Sequence, residues 1–141
     1  MENIQFSIYA VDDDEDDRYL VQEVLKSYSD CSVTFFDDGE LLLADLLDSP
    51  EEKLPALILL DLDMPRVDGY EVLRTLRTNP SLNFIPILVL TATRSEETVR
   101  KAYQLGANTF MSKPSSFKEM TQLLQSMHTY WLKTVHIPKN P

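Results

Sequence analysis

The 141-residue chain has a single cysteine, Cys31. It can form no intramolecular disulfide, and a reducing, cytoplasmic setting is expected for it. Cys31 itself reads as a small, partly buried hydrophobe. Long apolar runs are missing, and none approaches the roughly eighteen residues that a membrane-spanning helix needs. The opening MENIQFSIY has neither a basic stretch nor an apolar core, so no secretory signal and no membrane association are expected. Positive charge is scarce. Lys and Arg number 13 against 23 Asp and Glu, a formal net charge of −10. Such a surface repels a phosphate backbone, which argues against nucleic acid as a partner. Repeats, low-complexity segments and linkers are absent too. The 43% hydrophobic and 26% charged residues fit one soluble globular domain with a core of ordinary size.

What is present is an alternation of short apolar runs with helical patterns. Residues 6–11, 33–36, 56–60, 85–90 and 108–112 read as strands. Residues 15–28, 40–48, 70–78, 95–104 and 115–133 read as helices, and Gly106 stands where a helix-ending glycine belongs. Five βα units imply an α/β fold, a doubly wound five-stranded parallel sheet covered on both faces. The domain is expected to span residues 1–133, with a C-terminal tail at 134–141 that is unstructured from His136 onward.

Six acidic residues run unbroken from Asp12 to Asp17, directly after the first strand. An acidic run is ordinarily a solvated face, and Asp14, Glu15, Asp16 and Asp17 read that way, at the positive end of a helix. The strand ends tell more. Strand one ends in Asp12 and Asp13, strand three in Asp61, strand four in Thr91, and strand five in Lys113 followed by Pro114. In a doubly wound sheet these all lie at one edge, where ligands bind. Three converging carboxylates repel one another unless a hard divalent cation, Mg2+ above all, joins them. A lysine and a hydroxyl beside that cation suit phosphoryl oxygens.

The segments AVDDDEDD (10–17), LILLDLDMPRVDGYEVL (57–73), ILVLTA (87–92) and MSKP (111–114) together resemble two-component response-regulator receiver domains, with that family's order and spacing and a (βα)5 flavodoxin-like fold. The resemblance implies Asp61 as phosphoacceptor. It implies Mg2+ held by Asp13, Asp61 and the backbone carbonyl of Asp63, with help from Asp12. Thr91 and Lys113 would bond phosphoryl oxygens, and the Lys113–Pro114 peptide would be cis. Thr91 and Phe110 would be the switch residues. Phe110 stands where many relatives carry Tyr, so no hydroxyl readout is available. The donor would be a phosphohistidine on a sensor histidine kinase or a phosphotransfer protein. The protein would not be an enzyme in the usual sense, but a phosphoacceptor with metal-assisted self-phosphorylation and slow self-dephosphorylation.

A rival resemblance starts from Asp61-Leu62-Asp63, which is similar to the nucleophile and general acid of haloacid-dehalogenase phosphatases. There the metal-binding acids should follow the lysine, and no acidic pair follows Lys113. Asp68, Gly39 and Gly69 read as turn residues, and His128 and His136 as isolated surface residues. Phe117, Met120, Leu124, Met127, Trp131 and Val135 form one stripe at steps of three or four. The end of that helix, with Tyr130, Trp131 and Leu132, is expected to overhang the sheet and expose apolar surface. The ending TYWLKTVHIP (129–138) resembles that of cyanobacterial phytochrome-associated response regulators, stand-alone receivers that form dimers. A homodimer through the fourth helix, fifth strand and fifth helix is therefore expected. With no output domain anticipated, the chain would act by protein contact, as a phosphate relay or as a phosphate sink.

Overall fold

In the computed structural model, residues 5–138 are described. Five strands alternate with five helices: β1 (Phe6–Val11), α1 (Glu15–Leu25), β2 (Cys31–Phe36), α2 (Gly39–Asp48), β3 (Leu57–Leu60), α3 (Gly69–Thr78), β4 (Ile87–Thr91), α4 (Glu96–Gln104), β5 (Thr109–Ser112) and α5 (Phe117–Met127). A short 3-10 turn (Glu51–Lys53) precedes β3, and a π-helical stretch (His128–Thr134) follows α5. No described helix is long and apolar enough to cross a membrane.

All strand pairs are parallel, in the order β2-β1-β3-β4-β5. This is the doubly wound architecture expected. The central strands β3 (LILL) and β4 (ILVLT) are buried at every position, as a parallel sheet covered on both faces requires. One apolar cluster holds Leu42 and Leu46 of α2, Val72, Leu73 and Leu76 of α3, and Ala102 of α4. The other holds Val21, Val24 and Leu25 of α1 with Met120, Leu124 and Met127 of α5. The helices are thus split between the two faces of the sheet.

Each α-helix opens on a side-chain cap: Asp14, Asp38, Asp68, Ser95 and Ser116 each accept a backbone N–H three residues on. Asp68 is therefore more than a turn residue. Gly106 has φ +109°, the left-handed conformation its helix-ending place demands. Gly69 serves packing rather than conformation, because a Cβ there would lie 2.6 Å from the Asp61 carbonyl oxygen.

The chain after α5 departs from expectation. The straight stripe stops at Met127, the π-helical turn carries the apolar face on five residues to Leu132, and Ile137, beyond the turn, also packs against the α1–α5 cluster. Wider i→i+5 turns rotate each following residue away from an α-helical stripe. Leu132 is buried, while Trp131 and Val135 are half-buried and Tyr130 is exposed. The anticipated overhang is thus mostly folded back. His128 is buried instead of exposed, stacked on Tyr28 at 4.1 Å. Its Nε2 lies 2.9 and 3.2 Å from the two Asp30 carboxylate oxygens. Lys133 Nζ is 2.7 Å from the same carboxylate. Burial pushes the Asp30 carboxyl up, but Lys133 and His128 outweigh it and hold the group well below the usual range. His136 is exposed, as expected, and positions 139–141 of the tail lie outside the described residues.

Candidate functional site

The register places the site. Val11 of β1 pairs with Leu60 of β3, and Leu60 pairs with Val89 of β4. The next residues, Asp12 and Asp61, therefore leave neighbouring strands at the same height. Thr91 pairs with Ser112, so Lys113 emerges one residue above Thr91 and bonds its carbonyl through the Lys113 N–H at 2.8 Å. The chain turns outward between β1 and β3, the switch point at which such sheets bind ligands.

Asp61 lies at the centre, buried with Asp12 and Thr91. Asp61 Oδ1 accepts from Thr91 Oγ1 at 2.8 Å and from the Asp63 N–H at 3.2 Å. Its Oδ2 lies 3.1 Å from Lys113 Nζ. The ammonium also meets Asp12 Oδ2 and Asp17 Oδ2, each at 2.8 Å. Asp12 Oδ1 accepts from the Asp14 N–H at 2.9 Å, and Arg18 donates to the Asp12 carbonyl at 2.7 Å. Burial drives the Asp12 carboxyl up to about 6, against the pull of Lys113. Burial lowers the Lys113 ammonium, but hydrogen bonds to Asp12 and Asp17 prevail and raise it.

Asp12, Asp13 and Asp61 each offer an oxygen, and the three atoms lie within 4.8 Å of one another. An all-oxygen set of this kind suits a hard divalent ion. The residues present thus fit the metal that the resemblance implies. A second grouping of possible donors, Asp30, Cys31 and His128, lies at the opposite sheet edge, where Asp30 precedes β2, Cys31 opens it and His128 follows α5. There Lys133 already neutralises Asp30, and the grouping fastens the C-terminal turn to the domain.

The five strand-end residues Asp12, Asp13, Asp61, Thr91 and Lys113 come together. Asp63 turns its carboxylate outward, where it accepts from Thr93 Oγ1 at 2.8 Å and lies 3.4 Å from Thr91 Oγ1. Phe110 is away from the carboxylates, half-buried against the α2–α3–α4 cluster, with its N–H on Tyr103 Oη at 3.1 Å. One expectation fails. Among the described residues no peptide bond is cis, so Lys113–Pro114 is trans. The trans form is the lower in energy for most X–Pro bonds, and the Lys113 ammonium reaches Asp61 without the other isomer. Asp17 and Arg18 were missed. Asp17 stands in the first turn of α1, and an acidic residue there is equally at home in solvent. Nothing in the sequence marks that this one faces a buried lysine.

Residues 8–125 match the response regulator receiver domain. The response regulator Rcp1 of Synechocystis sp. (strain ATCC 27184 / PCC 6803 / Kazusa) is 38% identical over 135 residues, which cover 93% of this chain and 92% of Rcp1. The crystal structure of the Mn2+-bound form of Rcp1 superposes with a TM-score of 0.85 at 37% identity, covering 94% of this chain and 99% of that one. The phosphorylated cyanobacterial phytochrome response regulator RcpA gives a TM-score of 0.89 at 31% identity, covering 96% and 99%. The haloacid-dehalogenase alternative finds no support, since the acids beside Asp61 come from β1.

Proposed function

The chain belongs to the response regulator receiver domains, and from that premise we propose that Asp61 is its phosphoacceptor, served by Thr91, Lys113 and a magnesium ion. Receivers of this family are non-enzymatic phosphoacceptors that bind divalent cations and are phosphorylated by histidine kinases or phosphotransfer proteins. The observation that carries the assignment is the convergence on buried Asp61 of Thr91 Oγ1 at 2.8 Å, Lys113 Nζ at 3.1 Å, and the oxygens of Asp12 and Asp13.

Asp12, Asp13 and Asp61, with the Asp63 backbone carbonyl, would hold the ion. Bound there, a divalent cation would neutralise the carboxylates and offset the negative charge of the incoming phosphoryl group. An Asp61 oxygen attacks the phosphorus of the donor phosphohistidine. The O–P bond forms, the N–P bond breaks, and the imidazole leaves. Lys113 and Thr91 exchange their bonds to Asp61 for bonds to the new oxygens. A small acyl phosphate can replace the kinase, giving self-phosphorylation, and water slowly hydrolyses the aspartyl phosphate, releasing inorganic phosphate and restoring the Asp61 carboxylate. The product carries roughly −1.5 to −2 of charge where the carboxylate carried −1. Thr91 and the residues of its loop follow the phosphoryl group, and Phe110 responds with the face of α4, β5 and α5.

That face is also our proposed dimer surface, because Tyr103 and Phe117 leave large apolar side chains exposed there. A cytoplasmic setting and the absence of nucleic-acid binding complete the reading, supported by the kinase partner and the net charge of −10. The test is labelling with acetyl phosphate and Mg2+. One phosphoryl group per chain is expected, on Asp61, with none on Asp61→Asn. Equal labelling of that variant would move the acceptor elsewhere.

A further inference from the structure

Lys113 has more carboxylates than it can keep once a cation arrives. Its Nζ lies 2.8 Å from Asp12, 2.8 Å from Asp17 and 3.1 Å from Asp61. Asp12 and Asp61 also belong to the three-carboxylate group that can take a metal, and Asp17 does not. The ammonium and an incoming divalent cation therefore compete for the same two residues. An ammonium has three donors, so what it does when two acceptors are drawn away depends on the third.

Asp17 is built to be that third partner. Its backbone N–H bonds the Asp14 cap at 3.1 Å, which fixes the first turn of α1. Its side chain is 30% exposed, against 4% for Asp61 and 11% for Asp12. A carboxylate that keeps partial access to water holds a charge at low desolvation cost. Lys113, with its side chain 10% exposed, has no such access and needs an anion beside it.

We propose that Asp17 is a positioning residue that takes over Lys113 when a divalent cation binds Asp12 and Asp61, keeping the ammonium beside the acceptor for the incoming phosphoryl oxygens. This rests on the metal-assisted reading of the site. Without Asp17, Lys113 stays on Asp12 and Asp61 and opposes the metal. A carboxylate that merely adds to the local negative field would help the metal equally whether or not Lys113 is present. The two roles therefore separate in a double-mutant cycle.

Mn2+ affinity is measured by calorimetry on the intact protein, on Asp17→Asn, on Lys113→Met and on the double variant. Melting curves without metal confirm that each is folded. Asp17→Asn should weaken Mn2+ binding about tenfold when Lys113 is present, and only about twofold in the Lys113→Met background. Asp17→Glu should restore most of the loss. An equal loss in both backgrounds assigns Asp17 a field effect and overturns the proposal, as does no loss in either. Asp13→Asn, which leaves the Lys113 contacts untouched, tests the metal site alone. If it binds Mn2+ as the native chain does, or if the native chain binds none, the metal reading itself fails.

Discussion

Thr91 and Asp61 stand thirty residues apart, and the Thr91 hydroxyl donates to Asp61 Oδ1 at 2.8 Å with both side chains buried. A neutral donor already aimed at the acceptor carboxylate needs little reorganisation to bond a phosphoryl oxygen. Thr91→Ala should slow labelling by acetyl phosphate on the order of a hundredfold at saturating Mg2+, and Thr91→Ser should retain most of the rate. A rate for Thr91→Ala within about twofold of native would remove this hydroxyl from the reaction.

The Asp12 carboxyl, raised to about 6 by burial, makes both stability and metal binding depend on pH. A proton held more tightly in the folded domain than in the unfolded chain stabilises the fold. That contribution is full below the ordinary aspartate range and is lost as pH rises through about 6. The metal-free domain should therefore lose stability across this interval, and Asp12→Asn should flatten the loss. Metal binding runs the other way, since the cation must displace that proton. The rise in melting temperature on adding Mg2+ should be large above pH 6 and fade below it. A Mg2+ effect unchanged across that range would place the titration elsewhere.

The sheet was legible in the sequence because β3 and β4 are continuous apolar runs that end abruptly in Asp61 and Thr91. The site was legible for the same reason, since a parallel sheet collects its strand ends at one edge. What was not legible depends on side-chain direction or on backbone phase. Asp17 looked like any helix-start acid. His128 looked solitary, because its partner Asp30 is 98 residues away. The π-helical turn at His128–Thr134 changes the spacing of the apolar stripe without a glycine or proline within it to announce the change. A straight helix was the simpler reading, and it put Leu132 in water.

Asp63 should restrain phosphorylation. Its carboxylate accepts from Thr93 at 2.8 Å and lies 3.4 Å from Thr91 Oγ1, so it places a negative charge beside the incoming phosphoryl group and competes for the hydroxyl that should bond it. Asp63→Asn removes the charge and keeps an acceptor for Thr93. At saturating Mg2+, labelling should accelerate by a few-fold, on the order of the effect of one partly screened charge. Dephosphorylation, followed after the donor is removed, should change as well. Identical formation and decay rates in the two proteins would show that Asp63 does not feel the phosphoryl group.

The C-terminal turn and the proposed dimer surface should respond to different substitutions. Leu132 is buried on its own domain, and the turn is held there by His128 and Lys133 on Asp30. Leu132→Ala should cost about 2–5 kcal/mol in urea unfolding, with the emission of Trp131, the sole tryptophan, shifting toward that of an exposed indole. It should leave the association constant unchanged. Tyr103, about half exposed on α4, has the opposite profile. Tyr103→Glu places a charge on the face that would meet its own copy, and two-fold symmetry doubles the penalty. Sedimentation should show this variant monomeric at concentrations where the native chain dimerises, with a melting temperature close to native. A native chain that sediments as a monomer at high concentration, phosphorylated or not, would end the dimer proposal. The chemistry at Asp61, which lies within one chain, would be unaffected by that result.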